Sequence, residues 1–165
     1  MTVLLRPLAL ISLLLSGAIF GFFYAWVCST MWGLDTLPPE TAIAAMQAMN
    51  GSVRNAVFAP AFFGTGPMLL LTAGLALGAG QRRAALWFLA GGVLYSAGGM
   101  LLTMTVNVPM NEALGALTVP DSRDEAAAIW AAYSPRWQVF NTIRTVVSGA
   151  TLLLAGWAFL ALNRP

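Results

Sequence analysis

The chain has 165 residues, of which 59% are apolar and 8% charged, and its formal charge is +2. A soluble domain usually carries about a quarter charged residues, so this composition excludes a water-covered surface, and the small net charge gives no footing for nucleic acid. His is absent, all eight basic residues are Arg, and Cys28 stands alone; the usual ligands of haem and most transition-metal sites, an internal disulfide and a Cys-x-x-Cys redox pair are therefore excluded.

The first apolar run, 7–32, follows Arg6. It is longer than a signal-peptide core of about 7–15 residues, and no small-x-small cleavage site follows, so it predicts a retained transmembrane helix. Gly17 and Gly21 make a small-xxx-small pair suited to close helix contact. Tyr24, Trp26 and Trp32 sit toward the far end, where amphipathic rings favour the membrane interface. Cys28 reads as a small buried apolar residue, not a reactive thiol. Pro38 and Pro39 break the helix, and Pro39-Glu40 suits the first turn of a new one. This short interfacial helix, 39–50, carries Ile43, Met46 and Met49 on a helical period, with Gln47 and Asn50 between them.

The second span is expected over 53–77, with Arg54 and Asn55 at its start and Pro60 and Pro67 inside it. Internal prolines are tolerated in membranes where neighbours satisfy the freed carbonyls. Gly74 and Gly78 repeat the small pair, and the polar turn through Arg82-Arg83 makes spans two and three antiparallel neighbours. The third span, 84–106, has Gly91-Gly92 and Gly98-Gly99 on one face, which predicts close packing. At Asn107-Val108-Pro109-Met110-Asn111 the helix is expected to bend or end, because Pro109 has no backbone donor. A loop over 115–121 follows. Ser122-Arg123-Asp124-Glu125 is a capping box opening a second short helix, 122–133. Ser134-Pro135 repeats the start signal, so the fourth span runs 135–162.

The expected fold is all-α: a single integral membrane domain across 1–165, a four-helix bundle with short interfacial helices in its two outer connections. Arg6, Arg82, Arg83 and Arg164 fall at one set of helix ends, whereas Asp35, Glu40, Glu112, Asp121, Asp124 and Glu125, all the acids, fall in the two opposite connections. The positive-inside rule then puts both termini in the cytoplasm, with the acidic side outside; a bacterial inner membrane is the expected location. Glycine-rich helix faces leave room for a homo-oligomer.

Polar residues gather near the outer helix ends. Gln47, Asn50, Arg54 and Asn55 precede or begin span two, and Asn107, Asn111 and Glu112 leave span three. On span four, Trp137, Asn141 and Arg144 follow at i, i+4 and i+7 on one face, with the small Ser148 and Thr151 continuing the stripe. The apolar part from Thr145 onward is roughly 18 residues or about 27 Å, so Arg144 sits at the hydrocarbon edge. Each of these has a bland role open to it. Arg54 and Arg144 can reach lipid phosphates, the Asn residues can cap helices, Trp130 and Tyr133 suit an interfacial belt, and the methionines suit packing. As a set they imply more, because several buried amides beside a guanidinium need partners and orient a ligand when they lack them.

Asn107-x-Pro109-x-Asn111 after the third helix, with Trp137-Gln138-Val139-Phe140-Asn141-Thr142-Ile143-Arg144-Thr145 opening the fourth, resembles the anthrone oxygenase-like family of small four-helix membrane proteins, which includes many bacterial members. The resemblance covers essentially the whole chain, including Met46-Gln47 and Asn50; Phe140 stands where the family often has Trp. It implies oxidation of an anthrone or related polycyclic phenol by molecular oxygen, with neither metal nor flavin. On that reading Arg144 stabilises enolate and superoxide charge, and Asn107, Asn111 and Asn141 donate to substrate oxygens. Trp137 and Phe140 wall the rings. Gln47, Asn50, Arg54, Asn55 and Tyr133 complete the substrate pocket, and Glu112 is the nearest base. The alternative is a non-catalytic membrane protein holding a lipid, quinone or other hydrophobic small molecule in the same pocket. A small proton-coupled exporter ranks lower, since none of the acids falls inside an apolar run; a structural or assembly subunit stays open.

Overall fold

The computed structural model describes residues 2–162; Arg164, one of the arginines used to orient the chain, lies outside them. Four helices are long and apolar enough to cross a membrane: α1 (Leu4–Asp35), α3 (Phe58–Gly78), α4 (Arg82–Gly115) and α5 (Arg123–Ala161). The shorter α2 (Pro39–Ser52) connects α1 to α3. Among the described residues there is no strand. Each of α1 and α4 packs on both α3 and α5, so the spans close into a ring, with α2 laid on the outer parts of α4 and α5.

The core is stacked in three layers along the bundle. The inner layer is built largely of small residues, Ala9, Ala73, Ala76, Ala155 and Ala158, around Leu69 and Phe88. Ile19, Phe23, Phe62 and Tyr95 fill the middle. Met31, Ile43, Met46, Trp130 and Trp137 belong to the outer layer, where α2 contributes its apolar face. Large apolar side chains such as Leu14, Leu71, Leu86, Val146 and Leu153 point outward, as a surface facing acyl chains requires. Hydroxyls buried in this setting need acceptors that water does not supply. They find them one turn back: Thr72 on the Met68 carbonyl, Thr103 on Gly99, Ser148 on Arg144 and Thr151 on Val147.

The paired glycines of α4 give the close packing expected of them. A Cβ on Gly98 would lie 2.9 Å from Val147 Cγ2, and one on Gly92 would lie 2.8 Å from Leu70 Cδ2. Gly17, Gly21 and Gly74 differ: a Cβ at each meets nothing within 4 Å. Those small-residue faces make no close helix contact within the described chain.

Several helix boundaries depart from the sequence expectation, each for a local reason. Span one continues to Asp35 through a π-helical turn at Trp26–Thr30, which turns Cys28 outward, so it is exposed and not buried as expected. Span two begins at Phe58, not residue 53, because Asn55 Oδ1 accepts from the Val57 and Phe58 amides and starts the helix there. Pro109 does not end span three. Two π-helical segments, Tyr95–Leu101 and Thr103–Asn107, precede it, so Pro109 falls in the first turn of the α-helical stretch Val108–Gly115, where a missing donor costs least. The separate helices expected over 122–133 and 135–162 are one helix of 39 residues with Pro135 inside it. Ser122 caps it by accepting from the Glu125 amide at 3.5 Å.

Ser134 does not start a helix; it binds Asp35. Asp35 Oδ1 accepts from the Trp130 indole at 2.9 Å and the Ser134 hydroxyl at 2.7 Å, and Oδ2 accepts from Gln138 Nε2 at 2.8 Å. The three donors are spaced by four along α5, so one carboxylate clasps the end of α1 to two turns of the neighbouring helix. Trp130 is thereby a core residue and not part of an interfacial belt. Hydrogen bonds to a charged group each contribute on the order of 1.5–3 kcal/mol when buried and less when solvated. Because Asp35 is exposed, Asp35→Ala is expected to cost about 2 kcal/mol in total and to lower the melting temperature in detergent by several degrees. Asp121→Ala, in the exposed loop, should leave it within a degree or so.

Candidate functional site

Two π-helical turns set the site apart from the regular bundle. Such a turn inserts one residue into the helical repeat and rotates the downstream side chains onto a new face. The turn at Trp26–Thr30 brings Trp26 against Trp137, with ring centres 5.0 Å apart. The turn at Thr103–Asn107 buries both of its terminal side chains inside the bundle. Opposite them, α5 presents the predicted stripe: Trp137, Asn141, Arg144, Ser148 and Thr151 are all buried.

Arg144 is 5% exposed. Its guanidinium carbon lies 4.6 Å from the centre of the Phe23 ring and 5.3 Å from that of Trp137, close enough for attraction to both π faces. Nη2 donates to Asn141 Oδ1 at 2.9 Å and Nη1 donates to Thr103 Oγ1 at 3.3 Å, while Nε has no partner. Among the described residues the one ion pair is Arg54–Glu112, so Arg144 has no carboxylate beside it. Asn141 is fully engaged in holding that guanidinium, because its Nδ2 also donates to the Phe23 carbonyl at 3.1 Å.

Asn111 is held differently. Its Oδ1 accepts from the Trp137 indole at 2.9 Å and from the Tyr133 hydroxyl at 2.8 Å. An indole N–H can only donate, so this contact decides the amide orientation. The oxygen is saturated and the Nδ2 end is left to donate.

These groups border a cavity of about 580 Å³, within the range of about 300–1,000 Å³ usual for small-molecule sites. Asn50, Arg54, Asn55, Asn111, Glu112, Trp137 and Arg144 line it, so seven of the predicted site residues come together as expected. The remaining five do not face it. Asn107 is 0% exposed with neither side-chain polar atom paired, and it lies behind the cavity wall, one turn beyond Thr103. Asn141 sits behind Arg144. Tyr133 supports Asn111 from the rear, so it too is a core residue. Phe140 is half-buried and is not a wall of the cavity. Gln47 ties down the loop after α4, donating to the Leu114 and Leu117 carbonyls at 2.9 and 3.0 Å.

The rings that wall the cavity are Phe22, Phe23, Trp26, Phe58, Phe62 and Phe63, together with Trp137. Sequence reasoning assigns none of the first six to the site, and it misses Thr103 as well. Trp26 reads as interfacial by its position, and phenylalanines in an apolar run give no sign of which face they occupy. Thr103 carries one legible signal, its place four residues before Asn107.

The family model for anthrone oxygenase matches residues 54–154, a segment that contains Asn111, Trp137, Arg144 and both helices bearing the polar wall. No curated protein and no solved structure gives a match.

The doubly bonded Asn111 is the structural hinge of the polar wall. Asn111→Leu removes the acceptor for two part-buried donors, each costing about 1–3 kcal/mol when orphaned. Thermal unfolding in detergent should register a loss of roughly 2–4 kcal/mol, whereas Asn55→Ala should show only the ~1 kcal/mol of a lost helix cap.

Proposed function

The chain belongs to the anthrone oxygenase family, and on that premise we propose that it oxidises an anthrone or a related polycyclic phenol with molecular oxygen in the cavity between α1, α3, α4 and α5. One observation carries this reading. The polar wall of the cavity offers donors: Asn111 through Nδ2, because its oxygen is taken by the Trp137 indole and the Tyr133 hydroxyl, and Arg144 through its guanidinium, which can only donate. The other walls are aromatic rings. A flat ring system bearing carbonyl or phenolate oxygens along one edge complements both features.

The chemistry asks for little more. Loss of the benzylic proton turns an anthrone into an aromatic enolate, and charge on its oxygen is stabilised by donors fixed in advance in a water-poor site. Arg144 supplies the positive charge, and Asn111 directs its N–H groups at a neighbouring oxygen. The enolate gives one electron to oxygen, and the same guanidinium steadies the superoxide formed. The radical pair joins as a carbon peroxide, which loses water. One O₂ is consumed for each anthrone, one oxygen atom entering the new carbonyl and the other leaving as water. Glu112 is the one carboxylate among the cavity-lining residues, and it takes the proton when the substrate arrives neutral. Asn141 acts through Arg144 as a positioning residue.

Oxygen uptake by the protein in lipid vesicles, supplied with an anthrone, tests this. The expected result is one O₂ per anthrone, with Arg144→Met slower by about 100-fold, the usual loss on removing a fixed stabilising donor, and Arg144→Lys between the two. Uptake no faster than in empty vesicles, or wild-type turnover by a folded Arg144→Met variant, would sink the reading. Saturable binding without uptake would leave a non-catalytic binder of such ligands.

A further inference from the structure

The cavity's exposed rim lies on one side only. Six of its lining residues are well exposed: Arg54, Asn55 and Ala56 before α3, Phe63 in α3, and Met104 and Glu112 in α4. The lining residues of α1 and α5, including Phe23, Trp26, Trp137 and Arg144, are buried or half-buried. The opening is therefore a slot between α3 and α4.

Its two ends differ in chemistry. The polar end is crossed by the Arg54–Glu112 ion pair at 3.2 Å, which joins the segment before α3 to α4. The other end is flanked by Phe63, 52% exposed, and Met104, 46% exposed. Further in, the helices close up. The Tyr95 hydroxyl donates to the Phe62 carbonyl at 2.8 Å, and a Cβ on Gly66 would lie 2.6 Å from Ser96 Oγ. Phe63 stands fifteen residues from the inner end of α3 at Gly78, about 22 Å at 1.5 Å per residue, which is within a hydrocarbon layer of about 30 Å. The apolar end of the slot thus opens at acyl-chain depth.

We propose that the ligand enters and leaves sideways from the bilayer, through the α3–α4 slot between Phe63 and Met104 and beneath the Arg54–Glu112 bridge. The route rests on the reading of the cavity as a site for flat aromatic phenols, which dissolve in the membrane rather than in water. A ligand sliding in this way passes apolar side chains first and meets Asn111 and Arg144 on the far wall with its oxygen-bearing edge. Phe63 and Met104 act as gate residues, and their bulk sets the rate of exchange.

A gate changes the barrier and not the bound state, so altering it scales association and dissociation by the same factor, whereas altering a binding wall changes the equilibrium. The probe is 1,8-dihydroxyanthraquinone, already oxidised and so not turned over, delivered in lipid vesicles to the reconstituted full-length protein. Its own visible emission is followed by stopped flow. Met104→Trp is expected to slow both rates by at least about fivefold with the dissociation constant held within about twofold, as for a narrowed gate. Met104→Ala, which does not depend on fitting a larger side chain and leaves the aromatic walls intact, should speed both. Unchanged rates in the two variants, or changes confined to the dissociation constant, overturn the lateral route while leaving the cavity reading in place. Absence of saturable binding to the wild-type protein overturns the cavity reading and the route with it.

Discussion

The arrangement depends on keeping the Arg144 guanidinium inside the bundle without a carboxylate. A buried cation loses its hydration, and in a low-dielectric interior that loss amounts to several kcal/mol unless fixed dipoles replace it. The replacements come from three helices. Thr103 of α4 and Asn141 of α5 accept from it, and the π faces of Phe23 and Trp137 cover it. Asn141 in turn donates to the Phe23 carbonyl of α1. The same contacts that solvate the charge therefore set the spacing of α1, α4 and α5 at the depth of the cavity. They leave Nε buried without a protein partner.

The membrane imposes a second constraint, that every backbone and hydroxyl group inside it find a partner within the protein. The regular parts of the bundle meet it with helical hydrogen bonds and hydroxyls bonded one turn back. Two of the irregular parts, the π turns at Trp26–Thr30 and Thr103–Asn107, lie where side chains reach into or behind the cavity wall. Tyr95, buried deep in α4, spends its hydroxyl on the Phe62 carbonyl and so holds α3 against α4 below the cavity floor. A third π segment, Tyr95–Leu101, carries the distortion of α4 below the cavity, and further in the helices pack through alanines and Gly91-Gly92.

The amides of this chain look alike in the sequence and do four different things. Asn55 begins α3, Gln47 secures a loop, Asn141 aims a guanidinium, and Asn111 keeps a donor free at the cavity wall. The difference is set by which of their atoms are already occupied. An amide whose oxygen is claimed by an indole and a phenol has only N–H groups to offer. This is why the polar wall favours a ligand rich in oxygen acceptors, a demand consistent with the chemistry of an anthrone enolate.

Much of this was legible in the residues alone. A chain with so few charges, four apolar runs and all its acids on one side had to be a helical membrane bundle, because unbroken apolar runs of about 20 residues fit spanning helices and not the alternating strands of a barrel. The i, i+4, i+7 spacing of Trp137, Asn141 and Arg144 placed them on one buried face, and the Asn107–Asn111 motif pointed to the family. The sequence by itself therefore determined the number and approximate extent of the spans, the antiparallel pairing of the second and third, and the identity of the polar stripe, since these follow from hydropathy, a short polar turn and periodicity. Only the tertiary structure decided that Pro109 and Pro135 are absorbed within helices, that Asp35 clasps α1 to α5, and that Trp26 and Phe23 belong to the site while Phe140 does not. Those outcomes rest on contacts between residues far apart in the chain, such as Asp35 with Trp130 and Asn141 with Phe23, and on π turns that shift a helix face by one residue. Local pattern carries no record of either.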